Sequence, residues 1–138
     1  MRSVPTWFFA TAALFGLAGM VWGIQMSASH DHTLSPAHGH LNLLGFVMSA
    51  VFGTYYALTP TAAASPLARI HFALVVATVL VLTPGIVFAI RDNWPVLAQA
   101  GSLLAIATMA LFAVTVLRHG VGTAPAGAHA AARVEPAK

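Results

Sequence analysis

The chain predicts an all-α fold, an integral membrane four-helix bundle, and three observations carry that expectation. Of its 138 residues 59% are hydrophobic and only 7% charged, where a soluble domain carries about a quarter charged side chains. Mean hydropathy is +0.84. Four apolar runs, at about residues 6–26, 38–58, 67–90 and 96–117, each match the ~20 helical residues that cross a hydrocarbon core of ~30 Å. Each run is about twice as long as a barrel strand and lacks strict alternation, so helices are expected rather than strands.

The first run follows Arg2 and at first sight resembles a secretory signal peptide. It is too long for an ordinary h-region and no small-x-small cleavage site follows it, so it is read as a span. The polar segment Ser27 to Ala37 then leads into the second run, which opens with His38, Gly39, His40, Leu41 and Asn42 and is thinned by Gly45 and Gly53. Residues 59–66, with Pro60 and Pro66, interrupt the apolar pattern before the third run, and Arg91, Asp92, Asn93, Trp94 and Pro95 separate the third from the fourth. Connections this short make sequential helices antiparallel neighbours. Residues 1–118 therefore form the transmembrane domain, and the Ala-, Gly- and Pro-rich residues 119–138 are expected to be a disordered tail.

Arg2, Arg69, Arg118, Arg133 and Lys138 fall on one side of this arrangement, whereas the other side has Arg91 offset by Asp92. The positive-inside rule then puts both termini in the cytoplasm. Trp22 and Trp94 would mark the outer interface, with Trp7, Tyr55 and Tyr56 toward the inner one. The isoelectric point near 10.2 reflects six basic against three acidic groups scattered along the chain, not the basic cluster that nucleic acid requires. There is no cysteine, which removes disulfides, thiolate metal sites and a cysteine nucleophile. The three acids Asp31, Asp92 and Glu135 lie outside the spans, so a hydrolytic site is not expected either. Cofactor or metal chemistry must use histidine.

Seven histidines outnumber the acids, and His30, His32, His38 and His40 crowd into eleven residues. At ~100° per residue His38 and His40 project ~200° apart, so both cannot face one interior, whereas His38 and Asn42 share a face. If His40 points inward, its stripe continues through Leu44, Val47 or Met48 and Val51, and Gly45 and Gly53 would admit a neighbouring helix or a macrocycle. His71 stands four residues into the third run, where an imidazole is costly unless paired, ligated or facing a cavity. His119 and His129 are read as interfacial or tail residues, and Met26, Met48 and Met109 as packing.

The stretch Ala37-His38-Gly39-His40-Leu41-Asn42-Leu43-Leu44-Gly45-Phe46-Val47, running on to Gly53-Thr54-Tyr55-Tyr56, resembles the second helix of the haem-copper oxidase catalytic subunit, in its nitric oxide reductase and cbb3-type branches. It is still more similar to a group of short four-helix bacterial membrane proteins related to that subunit. The resemblance implies haem b, with His40 in the place of an axial ligand. Ala68-Arg69-Ile70-His71-Phe72 looks like the later oxidase helix that supplies the opposite ligand. Four spans leave no room for a complete oxidase, so turnover of that kind is not expected. His40 and His71 would also lie roughly 25 Å apart along the membrane normal, so one protomer cannot clamp one haem between them. A second ligand from His38, a loop histidine or a neighbouring subunit, a second haem at His71, or a shifted third span would resolve this.

The leading expectation is thus a haem b protein of the bacterial cytoplasmic membrane, oligomeric, working in electron transfer or in binding O2 or NO. Its site residues are His40, His71, His38 and Asn42. The alternative from another class is a copper- or zinc-handling protein using His30, Asp31, His32, His38 and His40, since imidazole suits both ions. A third is a cofactor-free accessory subunit of a respiratory complex.

Overall fold

The computed structural model describes residues 3–122. Four helices are long and apolar enough to cross a membrane: α1 Val4–Ser29, α2 Ser35–Leu58, α4 Pro66–Arg91 and α5 Val96–His119, with a short helix α3 Pro60–Ala64 between the second and the third. The chain is a multi-pass helical membrane protein. The expected span boundaries lie within a few residues of these, but α3 was expected to be a plain connection. The last helix runs through His119, and the rest of the expected tail, beyond Gly122, lies outside the described residues.

Proline sets most of the starts. Pro5, Pro36, Pro60 and Pro66 occupy the first turns of α1 to α4, where the missing N–H has no helical partner to lose and the fixed φ suits the helix. Ser65 adds a cap by accepting a hydrogen bond from the Leu67 amide at 3.2 Å. His30 closes α1 in the left-handed region at φ 54°, and Gly120 ends α5 at φ 67°. Pro84 sits inside α4 without ending it, as neighbouring helices allow within a membrane.

α2 is not a regular α-helix throughout. Residues Leu41–Met48 are π-helical, and the Ser49 hydroxyl donates to the Leu44 carbonyl five residues back, at 3.2 Å. The buried positions of this stretch are Ala37, Leu41, Gly45 and Ser49, a strict spacing of four. On a regular helix such a run drifts ~40° per step, and the wider π turn keeps it in line. The stripe through His40, Val47 and Val51 consequently faces outward: His40 is exposed, and Val47 and Val51 are 44% and 48% exposed.

Close packing relies on small residues, which let helix backbones approach. A Cβ on Gly45 would lie 2.9 Å from Phe15, and one on Gly53 would lie 3.1 Å from Phe8. The two glycines expected to admit a neighbour or a macrocycle therefore receive phenylalanines of α1. Between α4 and α5, Gly85 meets Leu97 and Ala98, Gly101 meets Leu82, and Thr78 meets Thr108. The densest core is an aromatic cluster of Phe8, Phe52, Tyr55 and Tyr56 with Phe72 and Phe112 packed against it.

A Cβ on Gly101 would stand 2.5 Å from the Leu82 Cα, so Gly101→Val is expected to cost about 1–3 kcal/mol of stability. Gly39 has nothing within 4 Å of its Cβ direction, and Gly39→Ala should gain roughly 0.5–1 kcal/mol from helix entropy. Thermal unfolding of the two variants in one detergent checks both signs.

Candidate functional site: two histidine environments

Two histidine sites stand at opposite levels of α1. At the first, His38 is half-buried between α1 and α2. A Cβ on Gly23 would come within 3.2 Å of its ring, and Trp22 meets it edge-on with centroids 6.1 Å apart. Asn42 lies one turn on, with its amide donating to the His38 carbonyl at 2.9 Å and lying 3.3 Å from Nε2. Gly19 of α1 makes room for that amide: a Cβ there would overlap Asn42. Gly19 and Gly23 thus form a seat for His38 and Asn42, and the imidazole turned toward the neighbouring helix is His38.

His40 points the other way. Its Nδ1 lies 2.7 Å from the Pro36 carbonyl oxygen. A carbonyl can only accept, so Nδ1 carries a proton, and in the neutral ring the lone pair is then on Nε2. That nitrogen belongs to an exposed side chain. Further along the same outward face, Phe46, Val47, Ala50, Val51 and Thr54 line an apolar groove of about 380 Å3. A ligating histidine fixed through its other nitrogen is the usual arrangement at a metal, and here the fixing bond is in place.

The preceding loop does not gather its histidines. His30 and His32 are exposed, and Asp31 folds its carboxylate onto its own turn, accepting the Thr33 amide at 2.9 Å. Hydrogen bonding to Thr33 holds the Asp31 carboxyl below the usual range, with smaller help from Arg91 and His32. Among the described residues no three His, Asp or Glu side chains come together as a metal-ligand group.

The second site is His71, fully buried and walled by rings. Phe112 stacks on it at 5.7 Å and 20°, Phe52 meets it at 4.6 Å, and Phe8 lies at 5.6 Å. Its Nδ1 pairs with the Tyr56 hydroxyl at 3.0 Å, while Nε2 has no hydrogen-bond partner among the described residues. The nearby cavity between Phe52, Val75, Thr78 and Thr108 measures about 30 Å3, room for one water and not for a macrocycle. His71 shares the level of Phe8 and His38 that of Gly23. Those residues are fifteen apart on α1, or roughly 22 Å at ~1.5 Å per residue, so the two sites are separate.

Sequence reasoning missed the Tyr56 partner and the Gly19 and Gly23 seat. The first had a signal: a buried imidazole needs a partner, and Tyr56 is the nearest polar ring across the short α3 connection. What fold and sites together define is a membrane bundle with a ring-enclosed histidine, His71, and an outward histidine oriented by its own helix, His40. No family model matches the chain, and no curated protein or solved structure matches it significantly.

Tyr56→Phe removes the hydrogen bond that the buried His71 ring makes among the described residues and is expected to cost about 1–3 kcal/mol. Gly19→Ala displaces the Asn42 amide and should cost less, about the ~0.6 kcal/mol of an average intramembrane hydrogen bond. Chemical or thermal unfolding in detergent ranks the two, and the reverse order would overturn this account of the sites.

Proposed function

We propose that this protein is an oligomeric haem b protein of the bacterial cytoplasmic membrane, related to the haem-copper oxidase catalytic subunit and its short relatives, working in electron transfer or in binding a small gas. The observation that carries this reading is the 2.7 Å contact of His40 Nδ1 with the Pro36 carbonyl, which in the neutral ring leaves the lone pair on Nε2 of an exposed side chain. That nitrogen is the donor that haem iron takes from a protein, and the apolar groove of Phe46, Val47, Ala50, Val51 and Thr54 has the chemistry to flank a porphyrin. When bound, the haem supplies one-electron redox chemistry or an iron position for a diatomic gas. The chain's own part is to fix the imidazole and to keep water from the groove.

Because His40 faces away from its own bundle, a second copy of the chain would share in holding the haem, and His38 with Asn42 would support the helix that carries His40. The resemblance of residues 37–47 to the oxidase helix supports the same assignment. His71 is not required as a ligand, since Phe8, Phe52, Tyr56 and Phe112 enclose it. Electron exchange would then proceed with a respiratory-chain partner at the end bearing His40.

In this reading the four spans alternate in direction, with both termini cytoplasmic. The pairing of Gly85 with Leu97 and Ala98, and of Leu82 with Gly101, supports opposed directions for α4 and α5, and the arginine distribution supports the orientation.

Protein purified with adequate haem supply is expected to show a Soret band and a b-type pyridine haemochrome. His40→Ala should abolish both, and His71→Leu should keep them; a colourless wild-type protein would sink the proposal. Orientation is tested separately in this cysteine-free chain. Thr33→Cys should react with a membrane-impermeant maleimide from the periplasmic side and Ala64→Cys should not, and the opposite labelling would invert the topology.

A further inference from the structure

A second groove of about 380 Å3 opens at the end of the bundle where α1 and α4 begin. Ser3, Val4, Trp7, Ala63, Ala64 and Arg69 line it. Its composition is layered. Val4, Ala63 and Ala64 make an apolar floor, Trp7 packs its ring on Phe72 at 5.7 Å, and Arg69 and Ser3 stand at the rim, both exposed. Ile70, next to Arg69, is 56% exposed and continues the apolar surface outward.

Nothing within the described chain neutralises Arg69. The acids among the described residues are Asp31 and Asp92. Asp31 lies beyond the far end of α1, and Asp92 follows the far end of α4, twenty-three residues from Arg69 and so roughly 34 Å away along that helix. The sequence positions flanking this end are basic as well, with Arg2 before α1 and Arg118 closing α5. A cation without a counter-charge, beside an interfacial tryptophan and above an apolar floor, matches one amphiphile. The phosphate meets the guanidinium, and the glycerol and acyl chains lie on Trp7, Val4 and Ile70.

We infer that this groove is a binding site for an anionic phospholipid, with Arg69 pairing the headgroup phosphate and Trp7 packing its glycerol region. A neutral zwitterionic lipid carries the same phosphate but brings its own ammonium, so the site discriminates by net charge. An Arg near a membrane surface contributes ~1 kcal/mol toward anionic lipid, equivalent to about fivefold preference.

The test is native mass spectrometry of the full chain released from micelles doped with equimolar phosphatidylglycerol and phosphatidylcholine. The wild type is expected to retain phosphatidylglycerol about fivefold over phosphatidylcholine. Arg69→Gln should bring the ratio near unity, and Arg69→Lys should keep most of it. Ala64→Trp, which fills the floor at an exposed position without changing charge, should also lose the preference, with circular dichroism confirming that the helices remain. A large excess of inorganic phosphate should leave retention unchanged. Either an unaltered ratio in Arg69→Gln and Ala64→Trp, or displacement of the lipid by inorganic phosphate, would overturn the assignment.

Discussion

Hydrocarbon offers no hydrogen-bond partner, and that constraint governs where every polar side chain of this chain can go. The hydroxyls within the long helices answer it locally: Thr54, Thr78, Ser102 and Thr115 donate to carbonyls one turn back, at 2.8–2.9 Å. Such bonds need no neighbouring helix. The pairs that do cross between helices are therefore informative, because they fix register rather than merely satisfy a donor. Thr78 with Thr108 at 2.9 Å ties α4 to α5, and Tyr56 with His71 at 3.0 Å ties α2 to α4. Tyr55 donates to the Gly120 carbonyl at 2.9 Å and anchors the last turn of α5.

Against that background the two histidine environments differ in kind. His71 is placed by its surroundings: four aromatic rings enclose it, and the one hydrogen bond its ring makes among the described residues is to Tyr56. Its free Nε2 is a cost that the aromatic cluster offsets through ring packing. His40 is placed by its own helix through the Pro36 carbonyl, and its remaining nitrogen is offered to whatever lies outside the bundle. A buried imidazole lacking one partner is compatible with a structural role. An exposed imidazole oriented by its own helix through one ring nitrogen is the arrangement suited to a ligand from beyond the bundle.

The four spans were legible because composition and run length alone decide what can lie in a bilayer. Only α3 and the ends shifted, since a five-residue helix has too little sequence to display a period. The shared face of His38 and Asn42 was legible for the same reason, one turn of separation being independent of tertiary context. The Gly19 and Gly23 seat was not, because a glycine in a hydrophobic run gives no sign of which partner fills the space beside it. Tyr56 was legible only as an interfacial ring, because its bond to His71 depends on how α3 turns the chain.

The direction of His40 shows where helical periodicity by itself misleads. A 3.6-residue period drawn from His40 runs through Leu44, Val47 and Val51 and looks like a buried stripe, since each of those side chains is apolar. In a membrane, apolar character no longer separates the inside from the outside, because lipid accepts valine as readily as a neighbouring helix does. Residue size separates them better. Ala37, Gly45 and Ser49 are small, fall with Leu41 on one spacing of four, and face the other helices, where close approach rewards small side chains. A spacing of four maintained over twelve residues is also what a π-helical segment requires to keep one face inward. The small-residue pattern therefore carried both the buried face and the irregular helix, and it turned His40 outward.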